Sequence, residues 1–294
     1  MSCELWVRRC EKRMKITVAK SAGFCFGVKR AIDIALESAK APQAAVYMLG
    51  DIVHNENVVK KIEKVGIKKI RTLRQSKNGS LIIRAHGSAQ KTLEKAAGLG
   101  LKVIDATCPM VKEIHTIAID MDKRGYKMIV IGDHKHDEVQ GIIGQIQHKA
   151  IVLENTQDIK KKIKKKIPKA CVVAQSTQNL EKVLALYETL KNYVDELAFF
   201  NTICSPTQLK QSEIKNLPKE NDCVIVIGSK TSANTKRLYE IAKSINSRSY
   251  WVNSVSELKK EWFNHVKSVG ISAGASTPDE TIQEIKEYIQ RHFA

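Results

Sequence analysis

Aromatic residues make up only 5% of this 294-residue chain, and nowhere do they interleave with Lys or Arg in the way that stacks nucleic-acid bases. The net charge of +18 therefore does not point to nucleic acid. Its densest run, residues 160–166, is broken only by Ile163 and reads as a solvated helix face. Charge of this size also attracts acidic proteins and anionic substrates. Long apolar runs are missing as well: residues 128–131 and 224–227 are typical, short and bounded by polar residues, far from the ~20 needed to cross a bilayer. Residues 1–13 carry both signs of charge without the continuous apolar core of a secretory signal, so they read as an N-terminal extension of a cytoplasmic protein with no membrane partner. There is no CxxC, which removes the zinc ribbon and the ferredoxin-type cluster from consideration. There is no GxGxxG, so no bound nicotinamide or flavin is expected.

What the chain does contain is a regular alternation. Short β-branched runs (VYML, LIIR, KVIDA, MIVIG, CVVA, VIVIG, SYWV, VGIS) are separated by amphipathic helical stretches. That is the pattern of α/β units built on mostly parallel sheets, and 43% hydrophobic composition supplies cores for two or three of them. The apolar spacing predicts helices over 28–38 and 179–193. A last helix should start with Thr277 as its cap, Pro278 in the first turn and Glu280 closing a capping box. No long Pro/Gly/Ser linker separates the units, so they should pack closely.

Seven cysteines without an export signal argue for reduced thiols, metal ligation or burial, and against a disulfide framework. Cys171 and Cys223 open apolar runs and read as core residues, while Cys3 and Cys10 lie in the extension. Cys25, Cys108 and Cys204 sit instead in the turns GFCFG, DATCP and NTICSP, spaced at comparable intervals as if one came from each unit. The segments after the strands are also where polar residues gather: DIVHNEN, RAHGSA, IGDHKHDE, AQSTQN, IGSKTSAN and ISAGASTPD. Parallel α/β sheets collect ligand groups at the carboxyl ends of their strands, so one common pocket is expected. Three cysteines would leave one iron of a four-iron cluster open to substrate. Taken alone, three separately buried cysteines fit the same signal about as well.

The ordered set GFCFGVKRAI, VHN, AHG, DATCP, HDEVQG, AQST, NTICS, GSKTSANTKRL and AGAS resembles the 4-hydroxy-3-methylbut-2-enyl diphosphate reductase family of the methylerythritol phosphate pathway, across residues 15–294. The resemblance implies three similar α/β lobes arranged as a trefoil around a central 4Fe-4S cluster. Lobe 1 would span 26–108, lobe 2 109–203 and lobe 3 204–294, with 14–25 packing near the third. It implies one cluster per subunit on Cys25, Cys108 and Cys204. The reaction would be reductive dehydroxylation of the allylic diphosphate to isopentenyl and dimethylallyl diphosphate, with electrons from ferredoxin or flavodoxin. His54, His86 and His136 would bind the diphosphate, and Ser232, Asn234 and Ser276 would add hydrogen bonds to it. Glu138 would supply protons, with the Ser176 hydroxyl positioning the substrate alcohol and relaying them.

The chain departs from the family pattern at four positions: Asp137 stands where Pro is usual, Ala233 replaces the second serine of SSN, Ser176 replaces threonine, and Pro206 replaces a small residue. Asp137 and Ala233 motivate a second reading, a redox-sensing relative that binds without turnover. Thr207 reads equally as a hydroxyl beside Cys204 or as a helix cap. His115, His148, His265 and His292 are expected at the surface, and His134 has no assigned direction; none of the five is expected in the site.

Overall fold

The computed structural model describes residues 14–40 and 45–293; the expected extension at 1–13, with Cys3 and Cys10, lies outside them. The β-branched runs form three four-stranded sheets in which every pairing is parallel. One sheet runs Lys68–Ile70, Ala45–Leu49, Gly79–Ile83, Lys102–Asp105 in spatial order. The next runs Ile151–Leu153, Lys127–Ile131, Ile167–Ala174, Val194–Phe199. The third runs Ser249–Val252, Cys223–Ile227, Ser268–Ala273, Lys15–Val18. All three share one plan, in which the first strand of a lobe lies between its second and third and the fourth lies outermost. In the third sheet that outermost place is taken by the strand from the N-terminal end of the chain.

Burial explains the sequence pattern of the central strands. Every residue of Cys223–Ile227 is buried, because helices cover both faces of a parallel sheet and leave no solvated side for an alternating pattern. Cys171 and Cys223 are core residues in these strands. Each sheet has an apolar cluster on each face.

The two expected interior helices form as Phe26–Ala39 and Leu180–Leu190, the second capped by the Asn179 side chain on Lys182 N. The last helix, Asp279–His292, begins differently from the sequence expectation. Pro278 is its N-cap, and the Thr277 hydroxyl is drawn away to the buried carbonyl of Ile227, 3.1 Å off, so no capping box forms. The lysine run also departs from a single helix face. Its helix ends at Lys162 because Ile163 is extended and buried, and the chain then enters the strand Ile167–Ala174.

Polar contacts between the lobes close the centre. Arg237, buried, reaches both carboxylate oxygens of Asp133 with Nη2 (2.8 and 2.9 Å) and donates from Nε to Gln178 Oε1. Ser276 Oγ donates to His54 O at 3.0 Å, Ser229 Oγ to Glu56 Oε1 at 2.7 Å, and Gln145 Nε2 to Ser88 O at 2.6 Å. No helix among the described residues is long and apolar enough to cross a membrane.

Candidate active site

Three equivalent junctions, one per sheet, build the site. After each outermost strand the chain turns and enters a long helix, and the N-cap residues of those helices are Cys25, Cys108 and Cys204. The backbone N–H of each cysteine is bonded to the loop leaving a third strand: Cys25 to Ala275 O at 3.1 Å, Cys108 to Ala85 O at 2.9 Å, Cys204 to Ser176 O at 3.1 Å. These acceptors are Ser176 itself and the residues just before His86 and Ser276. The topology thereby fixes each thiol against a loop carrying a candidate substrate group.

The thiols are set for a soft cation. Three helix N-termini point toward them, and such termini favour negative charge. Burial raises the Cys108 thiol, against donation from the N–H groups of Met110 and Val111. Burial pushes Cys204 up to about 11, against its contacts with Thr207, whose Oγ1 lies 3.1 Å from the sulfur. Thr207 thus serves the sulfur. Metal binding to cysteine displaces the thiol proton, so burial of this kind is compatible with ligation. Gly27 leaves the room: a Cβ there would stand 2.4 Å from Cys108 Sγ. Donor chemistry and space both fit a metal–sulfur group.

Beside the thiols lies a cavity of about 60 Å³ lined by His54, His86, His136, Thr177, Ser232, Ala233, Asn234 and Ser276 among others. The three imidazoles are packed together, with ring centroids 4.2 Å (His54–His86), 5.0 Å (His54–His136) and 5.5 Å (His86–His136) apart. Burial lowers all three below the usual histidine value; His136 falls to about 4 and His86 is held well below 6.5. They are neutral at pH 7. His136 caps the helix Asp137–Ile143, its Nδ1 accepting from Glu138 N at 3.1 Å, and a neutral ring that accepts there carries its proton on Nε2. Ser232 caps the helix Ala233–Ile245 by accepting from Thr235 N at 3.3 Å.

Several polar atoms around this cavity have no partner. His54 Nε2, His86 Nδ1 and both amide atoms of Asn234 are buried and unbonded. Buried polar groups are otherwise almost always paired, so the unpaired set marks a place for a polar ligand. A neutral, donor-rich pocket at helix N-termini suits a multiply charged anion.

Glu138 lies within electrostatic reach of the Cys108 and Cys204 thiols, two residues after the cavity residue His136. It is 1% exposed, and burial raises its carboxyl to about 7. Only Ser176 opposes that shift, donating its backbone N–H to Oε1 at 2.5 Å and its hydroxyl to Oε2 at 2.8 Å. The carboxyl thus titrates near neutrality and shares a hydrogen bond with the hydroxyl of the residue whose carbonyl accepts from Cys204 N–H.

The ordered matches of the sequence carry through the whole chain: the sequence model of the LytB protein family matches residues 16–290. The chain belongs to the LytB protein family. This is an enzyme family, and relatives at this level of similarity are named 4-hydroxy-3-methylbut-2-enyl diphosphate reductase, an oxidoreductase. The chain is 42% identical over 278 residues to one from Aquifex aeolicus (strain VF5), covering 94% of this chain and 96% of the relative. It is 37% identical over 278 residues to one from Clostridioides difficile (strain 630), covering 94% and 99%. A solved (E)-4-hydroxy-3-methyl-but-2-enyl diphosphate reductase, described as the terminal enzyme of the non-mevalonate pathway, superposes with TM-score 0.69 at 41% identity, covering 95% of this chain and 99% of that one. The reductase from Plasmodium falciparum superposes with TM-score 0.87 at 30% identity, covering 95% and 88%.

Several features of this LytB site lie outside the sequence expectations. Thr177 lines the cavity at the position that His86 and Ser276 hold in the other lobes, a correspondence visible only from the shared strand plan. Asp137 forms an ion pair with Arg84 and comes to 4.0 Å from His54 Nε2. His115 is not a surface residue. Its Nε2 is buried and unpaired, burial lowers it to about 4, and its ring fills the space where Gly87 (φ +75°) would carry a side chain. His134, His148, His265 and His292 are exposed, as expected for residues outside the site.

Proposed function

We propose that this chain reductively removes the hydroxyl group of (E)-4-hydroxy-3-methylbut-2-enyl diphosphate, giving isopentenyl and dimethylallyl diphosphate in the cytoplasm. The observation that carries this reading is the bonding of the three cysteine loops to the loops bearing His86, Ser176 and Ser276. The net change is two electrons and two protons in, and one water out. A 4Fe-4S cluster held by Cys25, Cys108 and Cys204 would supply the electron route and one open iron as a Lewis acid for the substrate oxygen. His54, His86 and His136, with Ser232, Asn234, Ser276 and Thr177, hold the diphosphate through N–H, hydroxyl and amide groups. Glu138 delivers the protons, one to the departing hydroxyl and one to carbon, through the Ser176 hydroxyl it is bonded to. Closing the pocket around these groups excludes bulk water, which would otherwise compete for the protons. The electrons come from an acidic one-electron carrier, ferredoxin or flavodoxin, drawn by the +18 charge.

The test is anaerobic turnover by the reconstituted protein with a chemical reductant, comparing wild type with Glu138→Gln and Cys108→Ser. Formation of both C5 diphosphates by wild type, with a loss of roughly 10²-fold or more in Glu138→Gln at unchanged iron content, supports the reading. A loaded wild type that binds the diphosphate and makes neither product overturns it in favour of a sensor.

A further inference from the structure

The helix Ser205–Glu220, capped by Cys204, also grips the loop that carries Cys25. Lys210, 2% exposed, sends its ammonium to the backbone carbonyls of Ser21, Gly23 (2.9 Å) and Ala273 (3.3 Å). One turn further along, the Glu213 carboxylate accepts from the Ser21 N–H at 2.9 Å and from the Ser21 hydroxyl at 2.5 Å. A cation and an anion on one helix face therefore hold opposite polarities of the same short loop.

All three hydrogen bonds of Lys210 run to neutral carbonyls. Burying an ammonium is costly even after relaxation, and a methylene chain of the same length would fill the space without that cost. The carbonyls satisfy its protons but do not cancel its charge, so its field reaches the groups around it. Burial brings the Lys210 ammonium down to about 8, while Cys25, Glu213, Asp279 and Cys204 act on it in the opposite direction. Two of those four are thiols of the site.

We propose that Lys210 and Glu213 form a charge pair that sets the reduction potential of the metal–sulfur group on Cys25, Cys108 and Cys204, with Lys210 the dominant member. The inference rests on the cluster reading above. One electron from an outside reductant adds one negative charge to that group without making or breaking a bond. A fixed cation favours the more negative state and a carboxylate disfavours it, most strongly where water is excluded. Both are positioning residues for the Cys25 loop; the sign of their effects separates that role from tuning.

The experiment is a redox titration of the reconstituted protein with dithionite, without substrate, followed by the cluster's electron paramagnetic resonance signal. Lys210→Met lowers the reduced-to-oxidised ratio at fixed potential by about tenfold, which for one electron is a shift of about 59 mV to the negative side. Glu213→Gln, whose amide oxygen still accepts from Ser21 N–H, shifts the midpoint the other way. Lys210→Arg, which keeps the charge, stays near wild type. Loosening of the loop would move Lys210→Met and Glu213→Gln in the same direction, and that result, or no shift in either, overturns the inference. Should Lys210→Met fail to hold a cluster, Glu213→Gln decides alone: a midpoint unmoved or more negative overturns it. A wild-type protein that takes up no iron and sulfide removes the cluster reading and this inference together; a loaded wild type whose midpoint ignores both charges removes the inference only.

Discussion

Glu138 and Ser176 are joined twice, through the serine N–H and through its hydroxyl, and the carboxyl still sits at about 7. Two donors would ordinarily lower a carboxylate; burial outweighs them. The folded state thus holds the Glu138 proton more tightly than the unfolded chain, where the group titrates near 4.5. This carboxyl costs the fold nothing below that value, and stability falls as pH rises through about 7. Glu138→Gln removes the titration while keeping an oxygen for Ser176 N–H. Calorimetry of the apoprotein should show the variant more stable than wild type at pH 8, by at most about 3 kcal/mol, with the gap closing toward pH 5. An equal gap at both pH values would contradict the assignment.

The three pocket histidines are neutral before a ligand arrives, because burial lowers them. A bound diphosphate raises them, so binding takes up protons and affinity falls as pH rises through their bound-state values. Titration calorimetry with inorganic pyrophosphate near pH 6.5, in buffers of different ionisation enthalpy, should show an uptake that shrinks in His86→Asn. Uptake equal in the two proteins would mean that His86 stays clear of the anion.

Asp137 places a carboxylate where it holds Arg84 and approaches His54. An incoming anion meets that charge and finds the arginine engaged. Asp137→Asn should tighten pyrophosphate binding about five- to tenfold, on the scale of 1 kcal/mol for a partly exposed charge. Weaker binding would show instead that the pair is needed to orient His54.

Gly27→Ala tests the room beside Cys108. The added methyl would sit 2.4 Å from the sulfur, and a free thiol can rotate away where a ligated one cannot. Iron content after reconstitution should fall severalfold while apoprotein Tm stays within a few degrees, since alanine suits a helix better than glycine. Full loading of the variant would refute the placement.

The lobes were legible because parallel strands leave strong marks: the eight short β-branched runs, each followed by polar turns, became eight of the twelve strands among the described residues, while short or polar strands such as Lys68–Ile70 and Ile151–Leu153 left no such mark. The cysteines were legible from their turns. Less legible were features that depend on distance along the chain being erased by folding. Nothing near Lys210 in sequence signals that it reaches Ser21 and Gly23, and nothing near His115 signals Gly87 as its neighbour. Thr277 shows the complementary failure: a sound local capping signal lost to a buried carbonyl fifty residues away. Arg84 went unremarked because its partner, Asp137, belongs to another lobe.

The strand Lys15–Val18 completes a sheet whose neighbouring strand is Ser268–Ala273. During synthesis the first strand emerges long before its partner, and it has no sheet to join until residue 273 has cleared the ribosome. The loop with Cys25 is anchored through Ala275 and Lys210, and so it waits as well. The Cys25 loop is therefore fixed after the other two cysteine loops, and a nascent chain stalled before residue 268 would present Cys108 and Cys204 without the third thiol in place.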